Sequence, residues 1–445
     1  MTYRIGTGAG FSADRLDPAL QLLQHGELDC IVFECVGERT LAFGHRDRRA
    51  DPSRGYNPLL QRRLRQVLPL AKANGTRVVT NMGVANPLGA AEAAAQVARE
   101  LGLSLRIAAV LGDDVSDRIT PETPMVELGE TVAGAGRPYL AANAYLGADA
   151  IIPAIEAGAD LVITGRVADP SLFLAPLAQA HGWDLADWDR MAAGTVVGHL
   201  LECAAQVTGG YFADPGVKEV PRLAYVGFPL AEVATDGSAV VTKLAAAGGR
   251  VDLLTVKEQL LYEVHDPSAY VTPDVVADFA AVRPAEAGGD RVSVSGARGK
   301  PRPEQLKVTV AFDGGLLAEA EVSYGGLGAV GRARLAADIV AERMRHVHGH
   351  NGDLRCDLIG VSALHGTAHP PYPDDARDVR LRCALRADSR EQAELLLWEV
   401  ESLLCCGPAG GGGYRGQITP SVMTGSTFLD RDRVTPSIEL IEVRP

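Results

Sequence analysis

The sequence predicts an α/β protein, with a parallel, doubly wound sheet in the N-terminal half and an α+β C-terminal region. Three observations carry this. Over the first 180 residues, helical patterns closed by glycine alternate with short apolar runs and polar loops, the order that βα units impose. The apolar runs are continuous rather than alternating, as in strands covered on both faces. Near residue 211 prolines and an Asp-Gly turn replace this pattern. A partial (β/α) barrel is the alternative arrangement of the same units.

In chain order, a first strand is expected at residues 4–7, and later ones at Cys30–Phe33, Arg77–Thr80, 106–111 and 160–164. Helical patterns with glycine stops precede the last four, at 20–26, 59–75, 90–102 and 151–158. Residues 181–210 read as helical. Beyond them come a hairpin at Asp236-Gly237 between 230–233 and 239–242, a helix at 255–264, and a loop at 284–305. An antiparallel pair around Asp313-Gly314-Gly315 and a long helix at Ala329–His346 follow. The tail reads as a strand at 378–384, a helix at 390–404 and a glycine-rich loop at 406–416, a candidate lid or anion grip through Tyr414 and Arg415.

A chain of 445 residues exceeds one ordinary domain. The expected division is a parallel α/β domain at 1–210 holding the candidate site, an α+β domain at 211–350, and a small α+β region at 351–445. Apolar residues are 47% and charged residues 22%, enough for a substantial core. The net charge of −13 opposes nucleic acid. The basic stretch Arg46, Arg48, Arg49, Arg54, Arg62, Arg63 and Arg65 is broken by Asp47 and Asp51, and its second half reads as a solvated helix face. Seven cysteines without repeated spacing make no disulfide framework. No signal peptide pattern opens the sequence, and no apolar run reaches membrane-span length, so a cytoplasmic protein is expected.

In an open parallel sheet, ligands bind beyond the carboxyl ends of the strands. Those ends carry Gly6-Thr7-Gly8-Ala9-Gly10, Glu34-Cys35, Asn81-Met82-Gly83, Gly112-Asp113-Asp114 and Thr164-Gly165-Arg166-Val167-Ala168-Asp169. Backbone amides around Gly8 and Gly10 could hold a carboxylate or phosphate, or form a plain tight turn. The spacing is not the dinucleotide fingerprint. Asn86 before Pro87 has the pattern of a helix cap and is also a substrate-binding candidate, with Asn81, Asp113 and Asn143. Arg166 suits a bidentate grip on a carboxylate, or a structural pair with Asp169.

Read as helix, residues 194–206 place His199, Glu202, Cys203 and Gln206 on one face. A carboxylate flanked by buried surface gains a raised pKa and can serve as general acid or base, with His199 sharing the work. Cys203 could be a nucleophile if His199 lowers its pKa. The plainer reading is a buried hydrogen-bond network with a packed cysteine. His346, His348 and His350 end a helix and read as solvated rather than as a metal site. There is no zinc spacing, P-loop or nucleophile elbow.

Gly8-Ala9-Gly10-Phe11-Ser12, Val79-Thr80-Asn81-Met82-Gly83, Ala85-Asn86-Pro87, Gly112-Asp113-Asp114, Thr164-Gly165-Arg166-Val167-Ala168-Asp169-Pro170 and Gly198-His199-Leu200-Leu201-Glu202-Cys203 together resemble the acyclic terpene utilisation (AtuA) family. So do Val207-Thr208-Gly209-Gly210-Tyr211-Phe212 and Gly296-Ala297-Arg298-Gly299. The resemblance implies a setting in the breakdown of citronellol-like and geraniol-like compounds through acyl-CoA intermediates, and carries no catalytic residues of its own. It also implies a small ferredoxin-like domain, fused or separate, and here a separate small partner is expected.

The expected function is therefore acid–base chemistry, hydration, dehydration or C–C lysis, on a branched or isoprenoid-type acyl-CoA or free acid. Glu202, His199, Cys203 and Asp169 are the catalytic candidates. Gly8, Gly10, Asn81, Asn86, Asp113, Asn143, Arg166 and Gln206 are the substrate-binding candidates. No cofactor or metal is needed for such chemistry, and a homo-oligomer is expected. The alternative is a non-catalytic subunit that binds acyl-CoA or a partner protein.

Overall fold

A computed structural model of the protein describes residues 2–127, 129–366 and 375–444. Contacts group the chain into two units, residues 1–311 with 424–445, and residues 312–423.

The first unit begins with β1 (Tyr3–Ala9), α1 (Asp17–His25), β2 (Cys30–Phe33), α2 (Glu38–Ala50), α3 (Leu60–Asn74), β3 (Arg77–Thr80), α4 (Pro87–Glu100) and β4 (Leu105–Leu111). It continues through β5 (Tyr139–Ala144), α5 (Ala148–Glu156), β6 (Leu161–Thr164), α6 (Ser171–His181) and α7 (Trp188–Glu202). Then come β7 (Pro229–Val233), β8 (Ala239–Lys243), α8 (Leu253–Leu261), β9 (Tyr270–Val271), β10 (Val276–Asp278), β11 (Arg283–Glu286), β12 (Arg291–Ser295) and β13 (Arg298–Lys300).

The five expected strands are present and parallel, in the order β1-β2-β3-β6-β4. The whole sheet is mixed rather than purely parallel. β7, β8, β12 and β11 extend it antiparallel beyond β1, and the C-terminal strand β18 (Ser437–Val443) pairs antiparallel with β4. Both edges of the parallel core are thereby covered, which satisfies main-chain groups that an exposed edge would leave open. All four residues of β2 are buried, as its unbroken apolar run requires. Ile31, Phe33, Val78, Ile107 and Ile163 form one core with Leu22, Leu64, Val67 and the alanine face of α4.

In the sheet β6 stands between β3 and β4, out of chain order, and the loops after β1, β2 and β6 leave the same carboxyl edge, the side on which such sheets bind ligands. α7 is fastened there. Thr7 Oγ1 of β1 donates to Leu201 O at 2.8 Å, and Gly198 lies so near Pro170 that a Cβ would stand 2.6 Å from the Pro170 carbonyl oxygen. That close approach sets the end of α7 beside the loop after β6.

Three second-half expectations are corrected. Residues 284–305 hold the β11–β12 hairpin and β13, not an open loop. Asp313-Gly314-Gly315 does not turn the chain back. β14 (Gln305–Gly325) runs through it, with Gly315 at φ 74 and its amide donated to Asp313 Oδ1. The glycine-rich stretch is not a lid, because residues 411–416 already belong to β17 (Gly411–Asp430). The expected hairpin at Asp236-Gly237 joins β7 to β8, with Gly237 at φ 87.

In the second unit, α9 (Ala329–His346) and α10 (Arg390–Cys406) pack on the sheet β15-β16-β14-β17, where β15 is Leu354–Ile359 and β16 is Asp378–Ala387. His348 pairs with Glu399 at 2.6 Å, beside a two-pronged Arg343–Glu399 contact, so it is structural rather than solvated. Among the described residues, no helix is long and apolar enough to cross a membrane.

Candidate active site

A cleft of about 740 Å³ opens at the carboxyl ends of β1, β2 and β6 and the end of α7. Six carboxylates line it (Asp14, Glu34, Glu38, Asp169, Glu202 and Glu263) against two cations, Arg166 and Lys307. Burial and mutual repulsion on so acidic a wall raise Glu34, Asp169 and Glu202 above their ordinary carboxylate values.

Glu202 and His199 form a buried pair, Nδ1 to Oε1, at 2.9 Å. The other ring nitrogen, Nε2, lies 2.9 Å from the main-chain oxygen of Gln259, which can only accept, so Nε2 carries the hydrogen. Burial pushes the imidazole down to about 4, leaving it neutral with a lone pair at Nδ1. Glu202 Oε1 must then donate. Burial, with the Asp169 and Glu263 charges, raises Glu202 well above the carboxylate range, and the neutral acid fits both partners. Its Oε2 is buried and has no hydrogen-bond partner among the described residues. With both nitrogens engaged, His199 acts on the cleft through Glu202 rather than as a free base. Tyr270 and Phe279 enclose the imidazole, each 5.2 Å away between ring centres.

Glu34 follows β2. Its Oε1 accepts from Asn81 Nδ2 at 2.9 Å and from the Val36 amide at 2.7 Å. Burial and the Asp169 charge push it up to about 8, against the pull of those donors. Oε1 is taken by two N–H groups, so the acid proton sits on Oε2. Asn81 in turn accepts from the Cys35 amide at 2.6 Å. It holds Glu34 rather than facing the cleft.

Asp169 pairs with Arg166 Nη1 at 3.0 Å. Partial burial raises its pKa and the Arg166 charge opposes that. On top of burial, the Asp169 charge in turn raises both Glu34 and Glu202. Arg166 is 3% exposed. Its guanidinium lies 4.0 Å from the Tyr145 ring centre, and Nη1 also donates to Val36 O. Burial would raise Glu38, but Arg166 and the Tyr145 hydroxyl hold it at about 2.

Asp113 and Asn143 stand behind this wall. Asp113 Oδ2 accepts from the Arg166 amide at 2.8 Å and from Asn143 Nδ2 at 2.9 Å, and Asn143 Oδ1 meets His45 Nε2 at 2.6 Å. Burial raises Asp113 to about 6. They position the loop that carries Arg166. Asn86 lies elsewhere, capping α4 through the Gly89 amide and donating to Arg54 O. Gly8 lies under the Phe33 ring, where a Cβ would come within 2.4 Å.

The Gly10 amide is already donated to Asp14 Oδ2 at 2.9 Å, so the glycine turn offers no free cradle there. Gln206 lines the cleft from a 3-10 turn, because α7 ends at Glu202 and not beyond it. Cys203 lines it too, but its thiol is pushed up by burial and by Glu202, and His199 is committed to Glu202, which argues against a thiolate nucleophile. Among the described residues, no three His, Cys, Asp or Glu side chains are grouped so as to hold a metal ion.

Glu34 stands among the strand-end residues of the sequence without being singled out as a catalytic or binding candidate, and Tyr145, Glu38 and Lys307 are not marked there at all. Glu34 had a signal, a lone acid closing an all-buried strand. Tyr145, Glu38 and Lys307 had none, since they arrive from distant elements. Arg63, expected on a solvated face, is 2% exposed and donates to Asp14 O at 3.0 Å behind the cleft.

Two outcomes follow. A Cβ on Gly10 would stand 2.5 Å from the Cys203 main-chain carbon, so Gly10→Ala should destabilise the first unit by about 1–3 kcal/mol in urea unfolding. The raised Glu34 binds a proton in the folded chain that the unfolded chain releases above its ordinary carboxylate pKa. Its stabilising contribution is therefore complete at low pH and lost as pH rises through about 8. Between pH ~6.5 and ~8, above the window where His199 acts in the opposite sense, stability should fall by up to about 1.4 kcal/mol per pH unit for each such group. Melting curves of Glu34→Gln should show a shallower fall.

A family model described as "Acyclic terpene utilisation family protein AtuA" matches residues 3–440. No curated protein and no solved structure matches the chain.

Proposed function

The chain belongs to the acyclic terpene utilisation family AtuA, and on that premise we propose that it is an enzyme of branched-chain or isoprenoid-type acid catabolism. It acts on an acyl thioester or the related carboxylic acid by proton transfer, in hydration, dehydration or C–C lysis. The observation that carries this reading is the convergence of three carboxyl groups in unlike surroundings, Glu34 on the Asn81 and Val36 N–H groups and raised by burial to about 8, Asp169 against Arg166 at 3.0 Å, and Glu202 buried against His199 at 2.9 Å. Carboxyl groups whose surroundings push their pKa values apart are the mark of an acid–base pair.

In hydration of a 2-enoyl substrate, Asp169 takes a proton from water as the water oxygen bonds to C3, and Glu34 delivers its Oε2 proton to C2. One proton then passes from Asp169 back to Glu34. Dehydration is the reverse. Glu202 Oε2, an acceptor without a partner among the described residues, orients the water or the substrate hydroxyl. The phosphates of a CoA thioester lie outside so acidic a cleft. A small partner protein and a homo-oligomer remain part of the proposal.

The test is a thermal-shift and mass-spectrometry screen of the purified protein against CoA, geranyl-CoA, 3-methylcrotonyl-CoA and the free acids. A stabilising ligand that gains or loses water is the expected result. Tight binding with no mass change, with a small partner supplied, would make the chain a binding subunit instead. Glu202→Gln keeps a donor for His199 and an acceptor for the substrate. It should therefore lower turnover less than Glu34→Gln, and the opposite order would move the proton-donor role to Glu202.

A further inference from the structure

Beside the cleft lies a groove of about 570 Å³, and the two share Tyr145, Arg166, Asp169 and Lys307. Away from that join, the groove changes character. Ala168, Pro170, Val271, Pro273, Leu306 and Phe428 give it apolar walls. Phe428 and Val271 are 53% and 62% exposed, large apolar side chains left in water at the surface. At the join sit two cations. Lys307 Nζ lies 4.9 Å from the Tyr145 ring centre and 3.3 Å from Glu38, with its side chain 43% exposed. Arg166 keeps a buried Nε that has no partner among the described residues. The far rim is acidic, with Glu304 and Asp430 exposed.

We propose that this groove is the subsite for the hydrocarbon chain of a monocarboxylic acid or its thioester, whose carboxyl or carbonyl end is held at the join by Lys307 and Arg166. Cations at one end, apolar walls along the length and acids at the other rim fit an occupant with one polar end. A dicarboxylic acid of equal length would bring its second charge against Glu304 and Asp430. The groove thus supplies chain-length specificity, and it rests on the reading of the adjoining cleft only for which end of the substrate reacts.

Calorimetric titration of the full chain with potassium alkanoates from butanoate to decanoate tests this without requiring turnover. Affinity should rise about fourfold per added methylene until the groove is filled. Decanedioate should bind more weakly than decanoate. Phe428→Asp and Val271→Asp, both at exposed positions where folding is not at stake, should flatten the series. Lys307→Met should weaken every member by a common factor and leave the slope. A flat wild-type series, or a slope that survives both aspartate variants, overturns the subsite. A steep series, together with no gain or loss of water by geranyl-CoA, 3-methylcrotonyl-CoA or their free acids, leaves the subsite standing and removes the acid–base reading. Reaction without a chain-length slope does the reverse.

Discussion

Glu34→Gln is expected to lower turnover by about 10²–10⁴-fold, the usual contribution of a positioned general acid, while ligand binding is retained. The substitution is nearly isosteric. Its side-chain oxygen can still accept from Asn81 and the Val36 amide, as Oε1 does at 2.9 and 2.7 Å. What disappears is the proton on the other oxygen. In the unaltered protein the rate should fall as pH rises through about 8, where Glu34 loses that proton, and this limb should be absent from the residual activity of the variant. Steady-state rates across pH, with affinity measured separately by calorimetry, check both halves.

Arg166→Met is expected to carry the largest stability cost, up to about 3 kcal/mol, because the part-buried Asp169 and the Val36 carbonyl lose the buried cation they share. Arg166 is paired at once with Asp169, Val36 O and the Tyr145 ring, and its charge holds Glu38 low. Without it Asp169 faces the Glu34 and Glu38 carboxyl groups unopposed. Asp169 would then take up a proton at higher pH, so the acidic limb of any residual activity should move upward. Arg166→Lys keeps the charge but not the planar fork, and should retain more stability than Arg166→Met. Chemical unfolding of the three proteins at one pH orders them.

The parts of this arrangement that local sequence could announce were legible. Five continuous apolar runs with glycine-closed helices between them are the five parallel strands, and the polar residues after β1, β2 and β6 line the cleft while those after β3 and β4 support it from behind. The three-residue spacing of His199 and Glu202, and of Arg166 and Asp169, places both pairs in contact. Long-range pairing leaves no such trace. Nothing in residues 437–443 says that they close the sheet against β4, or that β7 covers β1. Glycine misled twice, since Gly314-Gly315 and residues 411–416 mark bends and close approaches within strands rather than turns or lids. Composition could place acids at the cleft but not say which are protonated. That depends on burial and on partners as remote as Gln259, which fixes the His199 tautomer and so the proton on Glu202.

A cleft that works by acid–base chemistry on a branched acid must move protons to and from the carbon chain of its substrate. The most direct measurement is deuterium incorporation in D₂O, read by mass spectrometry after incubation with 3-methylcrotonyl-CoA, geranyl-CoA and their free acids. Uptake of solvent deuterium on carbon, present with the unaltered protein and lost with Glu34→Gln, is the predicted result. Substrates that bind but leave D₂O with no label on carbon would contradict it.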